Sequence, residues 1–225
     1  MSSPFSPAPA PARPIRPGAL CGALAGLLIA LPALVEAFTG ETTATSLLLA
    51  LAPAFALPFL SALHQRQRTA SGRFGETAYV VNLIGLGLFG GAAFAANVVL
   101  FHLDDDTIDT ELTGPTLPTL AGCAIVFAVG CALFGAATIR ARTLPRVPAW
   151  GYAVVLPLFA FVTALPDSLL TSALHIAVGT VLVWLSTALW QSTRSSRSGP
   201  RTKRRNRGSG SGASGHPVSS GRSTL

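Results

Sequence analysis

The chain has 225 residues, of which half are hydrophobic and only 11% are charged, whereas soluble domains carry about 25% charged residues. Sixteen Lys and Arg residues against nine Asp and Glu give a net charge of +7, and three cysteines are too few for a disulfide framework. These numbers exclude a soluble enzyme, a disulfide-rich secreted module and a fully disordered chain, and they indicate a polytopic membrane protein.

The predicted elements begin with a leader, residues 1–17, which is rich in Pro, Ala and Ser and is expected to be disordered. Six uncharged stretches of 19 to 28 residues follow, each long enough for one helix through a bilayer core about 30 Å thick. Helix is expected because lipid offers an open backbone no hydrogen-bond partners. The sequence therefore predicts an all-α transmembrane bundle over 18–190, with six spans near 18–37, 44–63, 78–101, 118–139, 148–165 and 168–190.

The first span has an alternative interpretation. Arg13 and Arg16, followed by an apolar stretch that leads to Val35, Glu36 and Ala37, also fit a signal peptide cleaved after Ala37. Cleavage would leave five spans. The long leader and the length of the apolar stretch favour a retained helix.

The charged residues divide between the two sides of the predicted spans. All sixteen basic residues fall on one side, and eight of the nine acidic residues fall on the other, with Glu76 as the exception. Because Lys and Arg are retained in the cytoplasm during insertion, this division predicts that both termini are cytoplasmic. The sequence thus favours a multi-pass membrane protein with an even number of spans.

The tail, residues 191–225, combines Ser/Gly runs with basic residues and is expected to be disordered. Its simplest role is to hold the C-terminus in the cytoplasm, and a sharper role is attraction to anionic lipid headgroups. No aromatic residues are interleaved to favour nucleic acid as a partner. The candidate lipid-contacting residues are Arg201, Lys203, Arg204, Arg205 and Arg207.

Glycines at helical spacing predict close helix packing, because small residues let helices approach each other in lipid. Gly18, Gly22 and Gly26 form a doubled GxxxG pattern in the first span, and Gly87 and Gly91 form another in the third. The pattern leaves open whether these faces pack within the chain, against a second copy or against another membrane protein.

A few polar residues lie inside the predicted spans or at their outer ends, where such residues are functional candidates by default. We expect five of them to converge on a ligand-binding pocket on the external side: Glu36, Asn97, His102, Asp167 and His175. In the alternative interpretation, Asn97 and His175 bond neighbouring helices and the other three face water. The acidic run 104–111 is expected to be a solvated loop, since it lacks the pattern of a calcium-binding loop.

No catalytic or nucleotide-binding motif and no metal-ligand spacing accompany these residues, so the sequence predicts no enzyme activity, no metal and no cofactor. The first hypothesis is therefore a non-enzymatic binding or accessory protein. The second is a small solute transporter that uses the external pocket, in which spans 1–3 and 4–6 would have opposite topology without a clear sequence match. A third is a membrane haem or redox protein, which would need His102 and His175 to face each other.

Two segments carry a resemblance to a known group of proteins. The first runs from Leu133 to Gly135 and on through the basic stretch 139–146, and the second runs from Leu174 to Gly179 and ends in Leu189 and Trp190. This pattern resembles small multi-spanning membrane proteins of unknown function from high-GC bacteria, over about residues 120–190. The resemblance implies a helical bundle in the plasma membrane and no particular activity.

Overall fold

The structure is a computed structural model that describes residues 15–163 and 168–195, and all regular structure in these ranges is helical. An all-α bundle is therefore confirmed. The helices are α1 (Ile15–Thr39), α2 (Thr43–Phe94), α3 (Asp105–Glu111), α4 (Thr116–Ala141), α5 (Arg146–Val162) and α6 (Leu169–Ser195). A π-helical turn, Ala95–Val99, and a 3-10 turn, Leu100–His102, continue the end of α2. Most of the predicted leader and tail lies outside the described residues.

Helix α2 is a hairpin, because its backbone leaves the helical conformation at Gly72. Gly72 has φ 56° and ψ −151°, in the region that glycine adopts at little cost. The limbs before and after it, 43–71 and 73–94, run antiparallel. Accordingly the Ser61 and Tyr79 hydroxyls lie 3.1 Å apart, and the rings of His64 and Tyr79 stack with their centroids 4.2 Å apart.

Four helical segments are long and apolar enough to cross a membrane: Ile15–Thr39, Thr43–His102, Thr116–Ala141 and Leu169–Thr193. The second has 60 residues and contains the turn at Gly72, so it holds two of the six predicted spans. Helix α5 is apolar but has 17 residues, or about 25 Å at 1.5 Å per residue. That length is at the lower limit for a crossing.

The helices form a closed ring in chain order. Helix α1 packs against the first limb of α2, the second limb packs against α4, α4 packs against α5, α5 packs against α6, and α6 returns to α1. Every neighbouring pair is antiparallel, as the pairing of early residues of one helix with late residues of the next shows. Gly151 faces Val181 in the α5–α6 pair, for example, and the rings of Phe159 and His175 meet further along.

The three glycines of α1 lie in these helix contacts. A Cβ added to Gly18 or Gly22 would meet the side chain of Ala62 or Phe59 on α2. A Cβ added to Gly26 would lie 2.6 Å from the backbone oxygen of Gly179 on α6. The doubled GxxxG pattern therefore packs α1 against both of its neighbours within one chain.

Gly87 and Gly91 behave differently. A Cβ added at either position meets nothing within 4 Å, so these two glycines make no close helix contact within the described chain. Two other glycines, one on α2 and one on α4, bring those helices together instead. A Cβ added to Gly85 would lie 2.6 Å from the Phe127 backbone, and a Cβ added to Gly130 would lie 2.5 Å from the Asn82 backbone. Contact of Gly87 and Gly91 with a second chain stays a prediction.

The antiparallel ring sorts the charged residues between its two ends. We call one end the basic end; it consists of the start of α1, the Gly72 turn, the α4–α5 connection and the last turns of α6. Its basic residues include Arg16, Arg66, Arg68, Arg73, Arg140, Arg142 and Arg146. The opposite, acidic end carries Glu36, Glu41, Asp104, Asp106, Asp109 and Glu111. Glu76 lies at the basic end, where its carboxylate contacts His64 at 3.2 Å and Arg68 at 3.7 Å.

We predict that Gly26→Ala destabilises the bundle and that Gly87→Ala does not. The added methyl group at Gly26 would press on the backbone of α6, and overpacking of this kind costs about 1–3 kcal/mol. At Gly87 the methyl group meets open space, and alanine is the better helix former by about 1 kcal/mol. Unfolding of the two purified variants in one detergent measures the difference, and equal losses of stability would contradict this packing.

Candidate functional site

A cavity of about 650 Å³ lies inside the ring, in the half of the bundle toward the acidic end. Residues from α1, both limbs of α2, α3, α4, α5 and α6 line it, and most of them are Ala, Leu, Ile or Phe. The cavity is therefore a common space between the helices and not a gap between one pair of them.

The floor of the cavity is formed by Phe59, Leu86, Tyr152 and Leu182, whose exposed fractions are between 1% and 6%. Below the floor, toward the basic end, the interior is filled. Its most completely buried side chains include Leu60, Leu63, Phe134, Leu185 and Leu189, none more than 1% exposed. The bundle thus has a packed half at the basic end and a hollow half at the acidic end.

Aromatic rings form a connected series across the inside of the ring. Phe89 stacks on Phe127 with the ring centroids 4.4 Å apart, and it meets the edge of Phe159 at 5.9 Å. Phe159 in turn meets the ring of His175 at 4.8 Å and nearly at right angles. The four rings belong to consecutive members of the ring of helices, namely the second limb of α2, α4, α5 and α6, and all four line the cavity.

His175 presents one ring nitrogen to its own helix. Its Nδ1 atom lies 2.7 Å from the backbone oxygen of Thr171, which only accepts hydrogen bonds, so Nδ1 carries the proton. In the neutral ring, Nε2 is then an acceptor. His175 lines the cavity, and the arrangement therefore supplies a hydrogen-bond acceptor among apolar and aromatic side chains.

Asn97 lies in the π-helical turn Ala95–Val99, a local conformation that is often found at functional sites. Its Nδ2 atom donates to the backbone oxygen of Ala93 at 2.8 Å, and the residue lines the cavity. The hydrogen bonds of Asn97 and His175 described here stay within their own helices. They therefore do not serve as bonds to a neighbouring helix, which was the alternative interpretation of these two residues.

Two carboxyl groups belong to the cavity lining at the acidic end. Glu36 is half-buried in the last turn of α1, and Glu41 is exposed in the connection to α2. The Ser46 hydroxyl donates to Glu41 Oε1 at 2.6 Å, which fixes that carboxylate beside the start of α2.

The acidic run 104–111 forms helix α3, so the expectation of a loop is wrong. Asp104 caps the helix by accepting hydrogen bonds from the backbone N–H and the hydroxyl of Thr107, each at 3.0 Å. These bonds lower the pKa of the Asp104 carboxyl. Ile108 and Leu112 are four residues apart and line the cavity, so the apolar side of this segment covers part of the mouth while its exposed acidic residues face outward.

The five residues predicted for the external pocket are thus distributed as follows. Glu36, Asn97 and His175 line one cavity. His102 is exposed and is not among the described lining residues. Its ring meets the ring of Phe101 edge to face, and Phe101 does line the cavity. Asp167 lies outside the described residues. The candidate tail residues Arg201, Lys203, Arg204, Arg205 and Arg207 also lie outside them.

A buried polar cluster that the sequence pattern did not reveal lies just under the cavity floor. Asn82 Nδ2 donates to the Tyr152 hydroxyl at 2.7 Å, and the Cys131 thiol donates to Asn82 Oδ1 at 3.3 Å. All three side chains are buried, and they join the second limb of α2 to α4 and α5. The signal in the sequence was a lone Asn within an apolar run, but Tyr152 had the pattern of an interfacial aromatic residue.

The chain matches no protein-family profile, no curated protein and no solved structure. Among the described residues, no group of three or more His, Cys, Asp or Glu side chains is arranged to hold a metal ion. The cavity and its lining are therefore the features from which a function has to be argued.

We predict that Asn82 and Tyr152 are energetically coupled. Tyr152→Phe removes the acceptor of the Asn82 amide in a buried site, and hydrogen bonds between membrane helices contribute about 0.6 kcal/mol on average and up to about 1.7 kcal/mol. A double-mutant cycle of Asn82→Leu and Tyr152→Phe, measured by unfolding, should give a coupling energy of that size.

The matched control for this cycle pairs Asn82→Leu with Asn97→Leu. Asn97 donates to its own helix, so the second pair should be additive. Equal coupling in both pairs would contradict the assignment of the cluster.

Proposed function

We propose that this protein is an integral membrane protein that binds a small, largely apolar ligand in the cavity between its helices, without carrying out chemistry on it. The cavity of about 650 Å³ is the observation that carries this proposal. Ligand sites typically measure about 300–1,000 Å³ and combine apolar walls with a few placed polar groups. Here the polar groups are Glu36, Glu41, Asn97, Tyr152, His175 and two threonines.

The packing of the rest of the bundle supports a ligand in this space. Protein interiors are close-packed, with few voids larger than a water molecule. The basic half of this bundle contains the most completely buried side chains, whereas the acidic half leaves a connected volume of about 650 Å³ between helices that touch one another all round the ring. A ligand that fills this volume would restore the lost contacts and would stabilise the ring in proportion to its affinity.

In this proposal the chain crosses a bacterial plasma membrane six times, and the basic end and both termini lie in the cytoplasm. Its supports are the apolar helices, the folding back of α2 at Gly72 and the separation of basic and acidic residues between the two ends of the ring. The cavity then opens toward the external side. In this placement the tail supplies the proposed contacts with anionic headgroups, and Gly87 and Gly91 are the candidate contacts with a second copy or a membrane partner.

We predict that a bulky side chain at Ala93 abolishes ligand binding. Ala93 is half-buried on the cavity wall, so Ala93→Phe would occupy the space directly. The probe is N-phenyl-1-naphthylamine, a neutral apolar fluorophore, added to protein in nanodiscs and compared with empty nanodiscs. The wild type should show saturable fluorescence due to the protein, and Ala93→Phe should bind about tenfold more weakly or not at all, a loss of about 1.4 kcal/mol or more.

The matched control is Ala132→Phe on α4, an exposed position that is not among the lining residues. It adds the same side chain away from the cavity and should bind the probe as the wild type does. Identical binding by the two variants, or fluorescence that does not saturate in the wild type, would reject the cavity as a ligand site.

We predict that the acidic end of the bundle faces the outside of the cell. The measurement is the labelling of single cysteines placed at the two ends, in a chain whose own three cysteines are replaced by alanine. Asp106→Cys on α3 should react in intact cells with a thiol reagent that does not cross membranes, because it lies at the acidic end and is exposed. Arg142→Cys at the basic end should react only after the cells are broken. Labelling of Arg142→Cys from outside would reverse the proposed orientation.

A further inference from the structure

We propose that the ligand of this cavity is a hydrophobic cation, a compact molecule with apolar or aromatic groups around a single positive charge. This inference rests on the proposed function, and it adds the charge and the chemical class of the ligand. It is carried by three separate features of the described residues: the sign of the charged groups in the lining, the distribution of charge along the bundle, and the aromatic character of the wall.

The lining contains charged groups of one sign only. Glu36 and Glu41 line the cavity, and no Lys or Arg occurs among the described lining residues. An anionic ligand would therefore enter an apolar space without a cationic partner, which is costly because the charge would lose its hydration. A cation of suitable shape would meet carboxylates at the acidic end of the same space.

The charges outside the lining act in the same direction. The exposed acidic residues around the mouth are Asp104, Asp106, Asp109 and Glu111. The described arginines, by contrast, lie at the opposite end, beyond the packed half of the bundle. A mouth with charge of one sign raises the local concentration of ligands of the opposite sign and the rate at which they bind.

The wall suits a cation whose charge is surrounded by apolar groups. The lining aromatic rings are Phe59, Phe89, Phe101, Phe127, Tyr152, Phe159 and Phe161. Ring faces attract cations within about 6 Å, and the attraction is stronger where the cation has lost its water. A small hydrated metal ion gains little here, since most of the lining atoms are carbon and cannot replace its water ligands.

His175 and Asn97 both offer hydrogen-bond acceptors to the cavity. The Nδ1 proton of His175 is directed to the Thr171 oxygen, and in the neutral ring Nε2 is an acceptor. Asn97 directs its amide N–H to Ala93 and keeps its side-chain oxygen as an acceptor. Both residues therefore present acceptors that a cation with polarised C–H or N–H groups can use.

The test compares two ions of nearly the same size and shape and of opposite charge, tetraphenylphosphonium and tetraphenylborate. Each displaces N-phenyl-1-naphthylamine from protein in nanodiscs, and the signal from empty nanodiscs is subtracted so that partition into lipid is removed. We expect half-displacement by the phosphonium ion at a concentration about tenfold or more below that of the borate ion, since the two ions interact with the carboxylates with opposite sign.

Two double variants locate the charge that distinguishes the two ions. The double variant Glu36→Gln and Glu41→Gln should weaken displacement by the phosphonium ion about tenfold, and by more than it weakens naphthylamine binding, because only the charged ligand senses the charge of the carboxylates. The control pairs Glu76→Gln with Glu111→Gln. It removes the same two charges from residues outside the lining and should weaken displacement by less.

The outcomes separate this inference from the proposal beneath it. Absence of saturable naphthylamine binding to the wild type would reject the cavity as a ligand site and this inference with it. Saturable naphthylamine binding with equal displacement by the two ions, or stronger displacement by the borate ion, would reject the cationic ligand alone. Loss of phosphonium selectivity in the control as large as in the cavity variant would also overturn it, because the carboxylates in the lining would then have no special part.

Discussion

The close contact between Gly26 and Gly179 is the constraint on which the rest of the structure depends. It joins the first helix of the ring to the last at the level of the backbone, and an added Cβ on either residue would lie within 2.6 Å of the other's carbonyl oxygen. In lipid, apolar side chains gain little by exchanging lipid for protein, so such close approaches hold helices together. Without the packing of α1 against α6, the helices would form an open array and would enclose no volume.

Closure of the ring explains why the interior is divided into a packed half and a hollow half. At the basic end the interior positions are Leu and Phe side chains large enough to meet in the middle. At the acidic end many of the inward positions are alanines, which include Ala52, Ala56, Ala92, Ala93, Ala96, Ala121 and Ala124. Small side chains at these inward positions contribute to the space that forms the cavity.

Much of the architecture could be predicted from the sequence because it depends on the hydropathy and charge of consecutive residues, which can be read along the chain. The lengths of the uncharged stretches predict helices, and the positions of Arg and Asp follow the alternation of helix direction. The pocket was harder to predict because it depends on which residues meet across the ring. Asn97 and His175 were identified from polarity alone, whereas nothing local indicates that Phe159 lies between His175 and Phe89.

The two glycine pairs also show that sequence spacing alone does not predict which residues meet between helices. Gly22 and Gly26 have the same spacing as Gly87 and Gly91, but only the first pair lies in helix contacts within the chain. The spacing determines that two glycines share one side of a helix, and it does not determine which side faces a neighbour. That depends on rotation of the helix in the ring. In α2 the rotation places Gly85 against α4, and Gly87, two residues further along, then points elsewhere.

The order of helices in the ring also restricts how a transport cycle could be built. The six helical segments follow one another around the ring in chain order, and their directions alternate. When each set of three is viewed along the direction of its own first helix, the first set runs around the ring clockwise or anticlockwise and the last set runs in the opposite sense. A two-fold axis in the membrane plane cannot superimpose sets of opposite hand. The arrangement is therefore not an inverted repeat, and rocking of two equivalent halves, the usual basis of alternating access, has no counterpart in it.

The hollow half has an electrical consequence for a protein placed across a membrane. On α6 the lining extends from Thr171 to Leu182, about 16 Å at 1.5 Å per residue, or roughly half of a 30 Å hydrocarbon core. When water occupies this space, little of the transmembrane voltage falls across it, and nearly all of it falls across the packed half. The field there is then about double that in the surrounding bilayer, where 100 mV acts on one elementary charge with about 2.3 kcal/mol over the full thickness. The dipoles of the Asn82, Cys131 and Tyr152 side chains lie at the boundary between the cavity and the packed half, where this stronger field begins.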